Sequence, residues 1–178
     1  EGDVITACGG GYVSAKTEDG SYLLYDLNGD EPVELGRFNA PVASYTPGCV
    51  MLLGGDCATD DASYTLIDLA SGEQFAVQRS DYSYTTGDLA VLTSDNTLKV
   101  CDGTTGALLT DVDVTPIAGA SYISVTTLNN GYVLLQHDDE NYDTIAMQTY
   151  GTEGLLWDSS ADSQQYGYAS YLTNPENG

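Results

Sequence analysis

Residues 98–109, LKVCDGTTGALL, read as a strand, a tight turn and a second strand. Asp102 and Gly106 carry the turn: a short carboxylate can bond back to turn amides, and glycine accepts the positive φ that a tight turn needs. The same unit returns three more times. Gly11 opens GYVSAKTED, Gly48 opens GCVMLLGGD, Gly87 opens GDLAVLTSD and Gly131 opens GYVLLQHDD. An apolar residue follows each glycine by two places (Val13, Val50, Leu89, Val133), and an aspartate by eight (Asp19, Asp56, Asp95, Asp139). The opening glycines are 37, 39 and 44 residues apart. A period near 40 marks a repeat architecture.

A second strand follows each of these aspartates: SYLLYD, SYTLIDL, NTLKVCD and DTIAMQTY. Turn glycines Gly29, Gly72, Gly106 and Gly154 lead into a third: PVELGRF, EQFAVQ, ALLTDVDV and LLWDS. Between units a further short strand carries a Ser-Tyr pair: Ser44-Tyr45, Ser83-Tyr84, Ser121-Tyr122 and Ser170-Tyr171. No stretch holds a helical period. The expected fold is all-β: a β-propeller of four-stranded antiparallel blades, with strands A to D in each. The blades fall at about 3–38, 41–79, 81–114 and 120–158, and an extra strand at 165–172 begins a fifth. A blade cannot bury both faces alone, so Val13, Leu24, Leu52, Leu66, Val91, Leu98, Val133 and Leu135 are the expected inter-blade core. Four blades and one strand suggest an arc of a larger ring, closed by missing blades or by a second copy. A β-sandwich would lack the fixed period.

Composition agrees. Among 178 residues there are 14 Tyr and 20 Gly but 5 Pro, a balance of strand formers and turn formers. Asp and Glu number 27 against 4 Lys and Arg, a formal charge of −23. Such a polyanion repels phosphate backbones and anionic membrane surfaces, which argues against nucleic acid as a partner. No run reaches the ~18 apolar residues of a membrane span. The acidity suits an extracellular or cell-envelope setting, and the start at EGDVITACGG suggests a mature or excised piece of an exported protein.

The turns YDLNG, IDLASG, CDGTTG and TYGTEG, with Trp157 closing GLLWDS, resemble the repeat of PQQ-like, quinoprotein-type β-propellers. That repeat runs from a strand ending in Asp, through a turn ending in Thr-Gly, to a strand that often ends in Trp. The adjacent cysteine pair that marks quinone-binding members is absent. The resemblance therefore implies the family's non-catalytic uses, as envelope scaffold, binding module or sensor ectodomain, with no cofactor.

Three residue sets are candidates for function. The B–C loops of units two and four are expected to carry extra residues, around 57–62 and 140–143. They bring Asp60 and Asp61 to one loop, and Asp138, Asp139, Glu140 and Asp143 to the other. Together they form either an acidic rim for a cation or basic partner, or a solubilising surface. The A-strand tyrosines Tyr45, Tyr84, Tyr122 and Tyr171 either line a concave site for sugar or peptide, or pack between blades. Asp26, Asn28 and Asp30 place oxygens at alternate positions, as calcium loops do.

His137, the only histidine, aligns with the end of strand B and lacks an opposed partner for acid–base work. Neither GxSxG nor HExxH occurs. Cys8, Cys49, Cys57 and Cys101 have no CxxC spacing; the topology admits a Cys8–Cys49 bridge and leaves the others as buried thiols. The expected function is a non-catalytic propeller module binding protein or glycan. An enzyme domain with its site at the channel mouth (oxidoreductase or hydrolase) and a purely structural spacer are the alternatives.

Overall fold

The computed structural model describes residues 4–54, 63–83, 85–128 and 130–160. Among these residues the regular structure is entirely β, in strands joined antiparallel in chain order. The first sheet holds β1 (Ile5–Ala7), β2 (Tyr12–Lys16), β3 (Tyr22–Asp26) and β4 (Val33–Phe38). A seven-stranded sheet follows, made of β5 (Val42–Thr46), β6 (Cys49–Gly54), β7 (Ser63–Asp68), β8 (Gln74–Tyr82), β9 (Leu89–Thr93), β10 (Thr97–Cys101) and β11 (Leu108–Asp113). The last sheet holds β12 (Tyr122–Thr127), β13 (Val133–Asp138), β14 (Thr144–Gly151) and β15 (Gly154–Asp158).

The seven strands are two four-stranded sheets that share β8. Gln74–Val77 pair with β7, Val77–Tyr82 pair with β9, and a bulge at Gln78 separates the two registers. A separate short strand at Ser83-Tyr84 was the expectation. Instead QFAVQRSDY runs through as one strand, because it contains no Gly or Pro to break it. The chain thus forms four sheets in sequence: β1–β4, β5–β8, β8–β11 and β12–β15. The expected strand at 165–172 lies outside the described residues.

The sheets stack face to face. Leu24 and Cys8 of the first pack against Val42, Tyr45, Val50 and Leu52 of the second. Cys49, Met51 and Leu66 meet Leu89, Val91 and Cys101 of the third. Ala90, Leu92, Leu98 and Val100 meet Val133, Leu135 and Tyr150 of the fourth. Each sheet therefore has a leading face, toward its predecessor, and a trailing face, toward its successor. The expected core residues are buried except Val13, which is half-buried on the leading face of the first sheet.

The turn of LKVCDGTTGALL has a packing role as well as a local one. A Cβ at Gly106, where φ is +72°, would lie 1.9 Å from the Pro47 carbonyl oxygen. Backbone touches backbone there, between the β5–β6 turn and the β10–β11 turn, so only glycine fits. Beside this contact Cys49 and Cys101 form a disulfide that ties the second sheet to the third. This corrects the Cys8–Cys49 expectation. Cys8 is a buried free thiol whose Sγ–H points to the Val42 carbonyl at 3.3 Å, and burial pushes its pKa up to about 11. Cys8 packs in the first interface, against Val42 and Tyr45 of β5, whereas Cys49 and Cys101 face each other across the second. Cys57 lies outside the described residues.

Candidate functional site

Three of the hairpin turns that join the second and third strands of a sheet share one geometry. In the first sheet Gly20 N–H donates to the Thr17 carbonyl at 3.0 Å; in the third, Asn96 N–H donates to that of Thr93 at 3.0 Å. In the fourth, Tyr142 N–H donates to the Asp139 carbonyl at 3.2 Å. The fourth residue of each turn is left-handed: φ is +87° at Gly20, +65° at Asn96 and +66° at Tyr142. Glycine and asparagine accept that conformation readily; a bulky ring does not.

The Tyr142 ring is 70% exposed and stacks on Tyr122, with ring centroids 4.4 Å apart and planes at 12°. The Tyr142 hydroxyl pushes the Tyr122 pKa upward. Tyr122 starts β12 directly opposite Asp138 at the end of β13. The Asp138 carboxylate is buried and accepts from Gln136 Nε2 at 3.0 Å and Thr144 Oγ1 at 2.8 Å. Asp139 accepts from the amides of Asn141 (2.7 Å) and Asp143 (3.0 Å), which hold its pKa low. Asp139 is thus committed to its own turn, and Asp138 is committed to Gln136 and Thr144. Glu140 and Asp143 are exposed in the same hairpin as Tyr142. Two sequence candidates that looked separate, Tyr122 and the acidic segment 138–143, meet at this hairpin tip.

The extra residues of the fourth unit are not loop decoration, as expected; they lengthen the hairpin. The turn begins six places after the opening glycine at Thr17 and Thr93, but eight after it at Asp139. Two more residues per strand carry the tip about 6–7 Å farther out, at roughly 3.3 Å per residue. The constant spacing to aspartate concealed this. Asp19 and Asp95 are third in their turns and take the hydroxyl protons of Thr17 and Thr93, whereas Asp139 is first in its turn.

The other tyrosines are not equivalent to Tyr122. Tyr45 is 8% exposed, pairs with Val50 at the opposite end of its sheet, and packs edge-to-face on Tyr12 at 4.6 Å. Its register equivalents are Ala7, Tyr82 and Thr127, not Tyr122. The Ser44-Tyr45 and Ser121-Tyr122 pairs thus occupy different heights in their sheets, so these two do not form one repeated lining. Tyr84, Tyr171, Asp60 and Asp61 lie outside the described residues.

The Asp26-Asn28-Asp30 segment folds as a turn. Asp26 Oδ1 accepts from the Asn28 amide at 2.8 Å, and the Asn28 carboxamide turns back to donate to the Gly10 carbonyl at 2.9 Å. Asp68 and Asp102 cap the amides of Ala70 and Thr104 in the same way, at 2.9 Å and 2.8 Å. Among the described residues no three His, Cys, Asp or Glu side chains are grouped to hold a metal ion.

His137 lies in β13, one place before its end, 0% exposed, with Nε2 3.0 Å from Gln148 Oε1 and, among the described residues, no partner for Nδ1. Gln148 Nε2 donates to Asp158 at 2.9 Å, and the Tyr150 hydroxyl donates to Gln148 Oε1 at 3.3 Å. Burial lowers the His137 pKa, while the Gln148 bond and the charges of Asp158 and Asp138 act against that. No substrate reaches an imidazole enclosed this way.

A concavity of about 240 Å³ lies between the second and third sheets beside the disulfide. Lys99 is buried in it, 2.8 Å from Asp111 and over the Phe75 ring at 4.3 Å. Its one cation is already paired. Sequence reasoning passed over both Tyr142 and Lys99. The signal for Tyr142 was present in the alignment of its turn with those of Gly20 and Asn96.

A family model described as a domain of unknown function, DUF5046, matches residues 1–178. The chain belongs to the DUF5046 family. Among curated proteins no match to this DUF5046 chain is found. Among solved structures it is similar to the N-terminal domain of Nup159, at 18% identity and a TM-score of 0.39, over 83% of this chain and 44% of that one. It is also similar to a chain of a mitotic checkpoint complex, at 15% identity and a TM-score of 0.36, over 87% of this chain and 52% of that one. The DUF5046 chain therefore spans about half the length of these solved chains. Among the described residues no helix is long and apolar enough to cross a membrane.

Proposed function

We propose that this DUF5046 chain is a non-catalytic, extracytoplasmic module of β-propeller type that binds a protein partner through the Tyr122–Tyr142 hairpin tip. The observation that carries this reading is the left-handed Tyr142, an exposed ring held where sister turns use Gly20 and Asn96. Strained backbone at a surface aromatic is a mark of function. A stacked tyrosine pair offers a flat π-face, and Glu140 and Asp143 of the same hairpin add negative potential to a chain of formal charge −23. Lysine and arginine side chains of a partner suit that combination: their cations sit over the ring face and near the carboxylates.

The four stacked sheets and the repeat near 40 residues support the propeller reading, and the Cys49–Cys101 disulfide supports an oxidising, exported setting. The test is binding of lysine- and arginine-rich peptides against a neutral peptide set and a glycan array. Basic peptides should bind, and Tyr142→Asn should weaken them about tenfold or more, the size of an aromatic hot-spot loss. Glycan binding without peptide binding would overturn the choice of partner; retention of full affinity by Tyr142→Asn would overturn the site.

A further inference from the structure

The Tyr122–Tyr142 pair has a chemistry of its own, apart from anything it binds. A phenol that gives up one electron and its hydroxyl proton becomes a phenoxyl radical, with unpaired density on the ring carbons ortho to the oxygen. Two such radicals join through those carbons when one ring lies against the other. The reaction asks two things of a protein: a ring that an oxidant can reach, and a second phenol already held in contact with it, so that coupling is a step within one molecule.

Tyr122 and Tyr142 meet both conditions. The Tyr142 ring is 70% exposed at the hairpin tip. Its centroid is 4.4 Å from that of Tyr122 with the planes at 12°, so the rings overlap face to face. Their hydroxyls lie together, joined by a hydrogen bond, so the rings point the same way and ortho carbons lie near ortho carbons. Tyr12 and Tyr45 are a contrasting pair. Their centroids are almost as close, at 4.6 Å, but the rings meet edge to face at 70°, and Tyr45 is 8% exposed within the first interface. Orientation and access, not distance, separate the two pairs. Cys8 and Met51, which an oxidant would otherwise attack, are buried.

We infer that Tyr122 and Tyr142 form an oxidative cross-linking site: a carbon–carbon bond between the two rings clasps the hairpin tip to the start of β12. The oxidant is hydrogen peroxide acting through a haem peroxidase. Each phenol gives one electron to the peroxidase and one proton to water. The two radicals couple at their ortho carbons, and the hydrogen on each coupled carbon then moves to the oxygen, which restores both phenols. Two tyrosines and one peroxide thus yield one dityrosine and two waters. The inference rests on the geometry of the rings and not on the partner assigned to the tip.

The test treats dilute chain with hydrogen peroxide and a haem peroxidase. Blue dityrosine fluorescence should appear while the chain still runs at 18.8 kDa on a denaturing gel. Its mass should fall by two hydrogens, and digestion should release the Tyr122 and Tyr142 peptides joined. Tyr142→Phe and Tyr122→Phe each keep a stacked ring but remove a phenol; both should lose nearly all of the fluorescence with unchanged circular dichroism. Tyr45→Phe should leave the yield as it was. Cross-links confined to other tyrosines, or found only between chains, would overturn the inference. So would an unchanged yield in the Tyr142→Phe and Tyr122→Phe chains. Absence of dityrosine at a dose that couples free tyrosine, with oxidation spent on Met147 or Trp157, would overturn it equally. Basic-peptide binding is measured on the unoxidised chain, so failure of either proposal leaves the other standing.

Discussion

Tyr142 occupies a backbone conformation that costs a non-glycine residue about 1–2 kcal/mol, and its stack on Tyr122 returns about 0.5–1.5 kcal/mol. Tyr142→Asn removes both terms, because asparagine is already the residue in the matching turn at Asn96. Folding stability should therefore stay within about 1 kcal/mol of the parent, measured by urea denaturation; a loss several times larger would give the ring a structural role. His137 tests burial in the same way. Its folded-state pKa lies below the ordinary imidazole value, so the unfolded chain takes up a proton first as pH falls. Stability should be fully present above pH 6.5 and decline as pH falls below it toward the folded-state pKa. His137→Gln should flatten that decline in paired denaturation curves at pH 7.5 and 5.5. An equal slope in both proteins would assign the dependence to other groups. The sequence placed His137 at the end of its strand but showed neither its burial nor the role of Tyr142. A glycine-like backbone position filled by tyrosine shows only when turns are superposed in register, and the burial of His137 depends on which face of β13 meets the preceding sheet.

At the scale of elements, the repeat was legible and its punctuation was not. Glycine, aspartate and apolar spacing suffice to place four-stranded antiparallel sheets, because alternation and turn chemistry are local. Where one sheet passes to the next, the outcome depends on what breaks a strand. QFAVQRSDY contains no breaker, so β8 serves two sheets. The lengthened fourth hairpin was hidden for a related reason: an aspartate recurs at the same offset by coincidence, although its turn starts two residues later. Disulfide pairing depends on which faces meet, which strand order alone leaves open. The Cys49–Cys101 bridge closes a separation of 52 residues. On chain-entropy grounds it contributes about 4 kcal/mol. Reduction, or the Cys49→Ala/Cys101→Ala pair, should lower the unfolding free energy by about that amount. A melt unchanged by reductant would mean that the interface between the second and third sheets holds without it.

At the scale of the whole molecule, acidity has two sources that the sequence mixes. Asp19, Asp68, Asp95, Asp102 and Asp139 are turn caps whose pKa values are held low by hydroxyls and amides of their own turns. Much of the repeating carboxylate pattern is therefore architecture. The proposed site draws instead on local groups: Glu140 and Asp143, exposed in the same hairpin as the Tyr142 ring, which extends beyond those at Gly20 and Asn96. The general field still matters, since a charge of −23 draws cationic partners from a distance and is screened by salt. The most direct test of the proposed role is a nuclear magnetic resonance titration of the ring protons of the tyrosines with an arginine- and lysine-rich peptide, at low and at physiological salt. The account predicts that Tyr122 and Tyr142 shift first and together, and that affinity falls as salt rises. Shifts confined to other tyrosines, or none at peptide concentrations that saturate basic-peptide binding, would contradict it.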